Sequence, residues 1–295
     1  MPSSFGSIAQ SLRVFGLVVA TGVVLASCGP ANNKPAVQAS PYERAKDAFK
    51  SGDLDKALDL TEKLATATPP EDSTERVWVL RAVIFTGELK GAKELAEAYG
   101  RGAEKTKDAQ TQSAYRRLQN DIQVTAATAA LGLAGTARQI APGGVIPKEL
   151  TLEASFPSPE GPTEVKELAL VEKGDWIEAD HQNSASVDAL RKGVDDALAD
   201  VVDGDRAKAR QTLAGGSTKL EGAVFAIFLA KELSEGAIVF DRHHGLNPQR
   251  LEVLCDEGEE CLKAALTLLK DTPNKDEEKE VKKLQDKFKT IRKDA

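Results

Sequence analysis

The sequence predicts an all-α fold built from stacked antiparallel helical hairpins. Three observations carry that expectation. Aromatic residues make up only 5% of the 295-residue chain, while alanine and leucine are abundant. Apolar residues recur at three and four spacings, the signature of one buried helix face. The strict alternation expected of half-buried strands is nearly absent.

The elements follow in chain order. The first helix starts at Pro41, with Ser40 placed to cap it, proline at the first helical position and Glu43 completing a capping box. Ala45, Ala48 and Phe49 form its apolar face, and Ala57, Leu60 and Leu64 form that of the next helix. Residues 101–140 have hairpin character, with Tyr115, Leu118 and Ile122 ahead of an alanine-rich run that includes Gly132 and Gly135. Such small residues suit a close helix–helix contact. Residues 142–162 hold most of the mid-chain proline and glycine, and read as a connection in which Thr151 to Phe156 forms a short extended piece.

Helical periodicity resumes afterwards, with Val224, Phe225, Phe228 and Leu229, then Leu262, Ala265, Leu266 and Leu269. The segment from Lys275 is dense in charge, yet Val281, Leu284, Phe288 and Ile291 mark one apolar stripe. It is expected to cap the fold with its charged face in water.

The N-terminus carries an address. Arg13 is the one charged residue ahead of an apolar stretch from Val14 to Ala26, and the stretch closes on Leu25-Ala26-Ser27-Cys28. This is the layout of an export signal, and the stretch is shorter than the ~20 residues of a spanning helix. Leu-Ala-Ser-Cys resembles the lipobox of bacterial lipoproteins. That resemblance implies cleavage before Cys28, lipidation of Cys28, and attachment to a membrane through the lipid. Gly29 rather than aspartate after the cysteine implies the outer membrane over the inner one, where the organism has an outer membrane. Residues 29–40 are polar and proline-containing, and read as a flexible tether.

A six-residue pattern recurs: glycine, an acid, three variable residues and alanine. It spans Gly52 to Ala57, Gly87 to Ala92, Gly174 to Ala179 and Gly204 to Ala209. Glycine is expected to end one helix, the acid to start the next, and alanine to sit where the two helices cross. The pattern resembles the turn of the tetratricopeptide (TPR) repeat, and its first two copies stand 35 residues apart, close to the ~34 of that family. Pro69 falls where the family's proline closes the second helix. Leu80 and Val83, then Ala96 and Tyr99, fill the packing faces of the second copy. The resemblance implies a short TPR-like solenoid.

The expected organisation is therefore a signal over 1–27, lipidated cysteine and tether over 28–40, TPR-like repeats over 41–141, a connection over 142–162, and a second helical half over 163–295. The net charge is −7. An acidic chain without basic clusters argues against nucleic acid as a partner.

Candidate chemistry is sparse. Of three histidines, His243 and His244 lie in Asp241-Arg242-His243-His244-Gly245, read as a helix end, and His181 is read as exposed. No phosphate-cradling glycine loop, nucleophile elbow or zinc-binding His-Glu-x-x-His helix is present. Neither a cofactor nor a metal is expected. Cys255 and Cys261 remain a candidate pair in an oxidising compartment. On one uninterrupted helix, about 9 Å apart along the axis, they could not be bridged; if Gly258 ends the helix, they could.

These readings lead to two functional expectations. The first is a non-catalytic interaction or scaffold lipoprotein, holding an envelope protein or peptide at the periplasmic face. The second is a helical small-ligand or transporter-accessory module, similar to the TPR lipoproteins that accompany TRAP-type transporters. That module would require an apolar pocket lined by residues such as Trp176, Phe225 and Phe228.

Overall fold

The computed structural model describes residues 41–51, 53–65, 74–152, 163–202, 204, 206–214, 217–240 and 248–294. Cys28, the signal, the tether, Gly52, Pro69, His243 and His244 lie outside the described residues. The described residues all belong to one compact unit.

The fold is all-α. Helices α1 (Pro41–Lys50) and α2 (Leu54–Ala65) form the first hairpin, starting where Pro41 and the Glu43 first-turn acid place it. Two 32-residue helices follow, α3 (Thr74–Lys105) and α4 (Ala109–Ile140). Asp108 caps α4 by accepting a 2.7 Å hydrogen bond from the Thr111 N–H. The hairpin expected within 101–140 is thus the junction of α3 and α4, and the alanine-rich run is one continuous helix. Its alanines at 126, 127, 129, 130, 134 and 137 are all buried, and α4 lies close against α3. A Cβ at Gly132 would fall on the Phe85 ring, whereas Gly135 faces open space.

Beyond α4, the connection forms a short strand, β1 (Glu149–Leu152), which begins ahead of the expected extended piece and shares only Thr151 and Leu152 with it; residues 153–156 lie outside the described residues. The strand pairs antiparallel with β2 (Thr218–Glu221), Leu150 opposite Leu220, a partner that four residues of sequence did not reveal. The remaining elements are α5 (Lys166–Val171), α6 (Ala179–Val201), α7 (Arg206–Ala214), α8 (Gly222–Val239), α9 (Pro248–Leu269) and α10 (Lys275–Asp294).

Packing centres on α3, which meets α4 and α6 most extensively and also touches α2, α5, α8 and β1. In a solenoid each repeat contacts only its neighbours in sequence. The α3–α6 and β1–β2 pairings join segments remote in the chain, so hairpins are present but their stacking is not strictly sequential. The main core gathers residues from α1 to α4, α6 and α8 to α10, with Phe49, Leu80, Leu133, Phe225 and Phe288 among its fully buried members. A second cluster around Tyr99 and Tyr115 joins the far ends of α3 and α4 to α5 and the start of α6. There the Tyr115 hydroxyl donates to the Asp175 carbonyl, fixing the α5–α6 turn.

Of the four glycine boxes, two have the expected glycine turn in the described residues. Gly174 (φ 84°) and Gly204 (φ 79°) take the left-handed conformation after α5 and α6. The Gly87 box corrects the expectation: it lies inside α3, with Ala92 buried mid-helix. Two of its three variable residues, Leu89 and Lys90, are good helix formers, and the helix has a use for its glycines, Gly91 among them. A Cβ at Gly87 would come within 3.0 Å of Val194, and one at Gly91 would stand 2.5 Å from the Ala189 carbonyl. Opposite them, a Cβ at Gly193 would invade the backbone of Gly87 and Gly91. These glycines allow α3 and α6 to approach backbone to backbone. Ala57 and Ala209 are buried as expected, while Ala179 is exposed at the first position of α6.

Cys255 and Cys261 are both free and buried, on the single helix α9. Gly258 does not end that helix; it makes room for the Phe288 ring of α10. The candidate disulfide is therefore absent.

Candidate functional site

Where α3 and α6 cross on their glycines, the residues one turn further along both helices line a cleft of ≈ 580 Å³ with α8. Lys90, Lys93, Glu94 and Glu97 reach it from α3, and Asp196 and Asp200 from α6. Lys231, Glu232 and Glu235 come from α8, and Arg206 from the start of α7. The i, i+3 and i, i+4 spacings put the contributors from each helix on one face.

Opposite charges meet across the helices. Lys90 Nζ stands 2.8 Å from Asp200 and 3.0 Å from Glu232 Oε1. Lys93 is 2.8 Å from Glu235, whose other oxygen accepts from Lys287 of α10. Lys192 reaches Glu94 at 2.6 Å and Asp196 at 3.7 Å, and Asp196 also holds Arg206.

The energetics differ across the cleft. Glu232 has no exposed surface, and burial raises its pKa above the carboxylate range against the pull of Lys90. Burial works against the Lys90 ammonium, but Glu232 and Asp200 together outweigh it and hold its pKa above the lysine value. Burial also opposes the Glu235 carboxylate, and Lys287 and Lys93 overcome it, lowering the pKa to about 2.

Three buried atoms of the cleft lack hydrogen bonds among the described residues. They are both carboxylate oxygens of Glu232, acceptors of which Oε1 has only the ionic contact with Lys90, and Arg206 Nη1, a donor. Buried polar atoms are ordinarily satisfied, so these three mark the cleft as incomplete.

The sequence holds a signal for this site that periodicity overlooks. The α8 stretch Gly222–Val239 is apolar on nearly every side, and its charges are confined to Lys231, Glu232 and Glu235. Charges in a helix buried all round require partners from other elements.

The expected apolar pocket takes a different form. Phe225 and Phe228 stack on each other at 5.6 Å inside the main core, 1% and 5% exposed, and are not among the residues lining the cleft. Trp176 belongs to the other cluster, 49% exposed and stacked on Tyr115 at 5.8 Å. The three therefore do not converge.

The other candidates are scattered. His181 is exposed, 3.9 Å from Glu167. Burial pushes the Cys255 thiol up to about 11 and Cys261 to about 12, holding both as thiols. Among the described residues no group of three or more His, Cys, Asp or Glu side chains is arranged to hold a metal ion. No described helix is long and apolar enough to cross a membrane. No protein-family model, curated protein or solved structure matches the chain.

Proposed function

We propose that this chain is a lipid-anchored, non-catalytic binding protein of the bacterial cell envelope. On this reading Cys28 carries the lipid, residues 29–40 form the tether, and the helical unit presents its charged cleft to an envelope protein or peptide. The cleft is the observation that carries the binding role. Its charged groups are held by one another across three helices, over a backbone-to-backbone crossing that limits their movement. Such an arrangement suits recognition, in which a partner exchanges ion pairs with a preformed surface. The anchor rests on the Leu25-Ala26-Ser27-Cys28 sequence.

A second reading, a small-ligand or transporter-accessory lipoprotein, draws on the size of the cleft. Its ≈ 580 Å³ falls within the roughly 300–1,000 Å³ of ligand pockets. The ligand would then be polar, because Phe225 and Phe228 are committed to the core.

Crosslinking pull-down of the full-length protein from its native envelope, beside a Cys28→Ala control, tests the first reading. The expected result is a specific set of envelope proteins that is lost in the control. Recovery of the same set without the cysteine, or of none, contradicts an anchored scaffold.

A further inference from the structure

The cleft's unsatisfied atoms belong to two residues of opposite sense, and that pairing specifies an occupant. Glu232 lies at the floor with no exposed surface; neither of its oxygens accepts a hydrogen bond among the described residues, and Oε1 has only its ionic contact with Lys90. Arg206 sits at the edge formed by α7. Its Nε donates to Asp196 at 2.6 Å and its Nη2 also pairs with Asp196, while the buried Nη1 donates to nothing described. An occupant with only an ammonium would leave the arginine nitrogen unmet, and one with only a carboxylate would leave the glutamate oxygens unmet.

We propose that the cleft binds a small zwitterion of the amino-acid class, a free α-amino acid or a short peptide, with its ammonium toward Glu232 and its carboxylate toward Arg206. The surrounding charges reinforce the ammonium end, whereas at the other end Arg206 already faces Asp195 and Asp196 and offers only its spare nitrogen. Asp200 and Glu235 reinforce the acidic side near α8, and each is already bonded to a lysine that fixes its position. Lys93 and Lys231 lie within the same lining and oppose the binding of a simple dication. A site that makes complementary bonds to both ends of a ligand rejects analogues lacking either end, because a buried partner is then left unpaired. Burial of Glu232 contributes in the same direction, since an incoming ammonium offsets the desolvation of its carboxylate.

This inference rests on the cleft as a recognition site, not on the anchor. It therefore deepens the binding half of the proposed function. The test is isothermal titration of the full-length protein in detergent micelles. The probes are the standard amino acids and trialanine, with n-butylamine and butyrate as single-charge analogues.

The expected result is saturable binding of at least one zwitterion, with both analogues at least tenfold weaker. Glu232→Gln and Arg206→Lys should each weaken that binding at least tenfold while keeping a cooperative thermal transition. Arg206→Lys retains a positive charge facing Asp196 but removes the spare nitrogen together with the two-point pairing to Asp196. Trialanine binding in preference to single amino acids would identify a peptide as the source of the zwitterion, and the reverse would identify a free amino acid. The proposal is overturned if no zwitterion binds the folded wild-type protein. It is equally overturned if an analogue binds as tightly as the zwitterions, or if both folded variants bind unchanged. A chain found without lipid that still binds would sink the anchor alone, and an anchored chain that binds nothing would sink this site alone.

Discussion

Single residues govern how this fold responds to pH. Glu88, half-buried on α3, has its pKa raised to about 8, first by burial and then by the neighbouring Asp55 carboxylate. Its folded pKa lies above its unfolded value, so the stability it contributes is present below about 4.5 and is lost as pH rises through about 8. The shift corresponds to on the order of 1–3 kcal/mol once partial solvent contact is allowed for. Glu88→Gln should flatten the decline in unfolding free energy between those pH values, measured by urea denaturation at pH 5, 7 and 9. Glu232 runs in the same direction and remains in the variant, so the flattening is partial. An unchanged slope would show that Glu88 carries no such cost.

At the scale of elements, the α3–α6 crossing determines where the cleft can form. Gly193→Ala places a Cβ against the Gly87 carbonyl and the Gly91 N–H, backbone atoms that cannot swing aside. The expected cost is at least ~1–3 kcal/mol, the range for overpacked sites, read as a lowered denaturation midpoint. Gly135→Ala, at a helical glycine facing open space, should be neutral or stabilising by up to about 1 kcal/mol. Equal effects of the two changes would contradict a close crossing. The same crossing explains what the sequence could and could not reveal. Spacing located the apolar faces of α1, α2, α9 and α10, and a stop signal correctly marked the turns at Gly174 and Gly204. At Gly87 the identical pattern continues through a helix, because the glycine there serves a neighbour about a hundred residues away. The burial of Phe225 and Phe228 was legible from α8's periodicity, but whether they met a cavity or the core depended on helices elsewhere in the chain. The cleft shared that obscurity, since its charges look like solvated faces until α3, α6 and α8 are brought together.

For the whole molecule, the proposal joins an address at one end to a recognition surface in the body. An acidic chain has little electrostatic attraction to anionic lipid, so on this proposal membrane residence would depend on acyl chains at Cys28. Anchoring would in turn raise the local concentration of the cleft near envelope partners, which would let individually weak ion-pair contacts suffice. The most direct measurement of this account is the intact and peptide mass of the protein purified from its native membrane. The expected result is a chain beginning at Cys28, with the mass of its N-terminal peptide increased by a diacylglyceryl group. A chain retaining residues before Cys28, or an unmodified Cys28, would contradict the account.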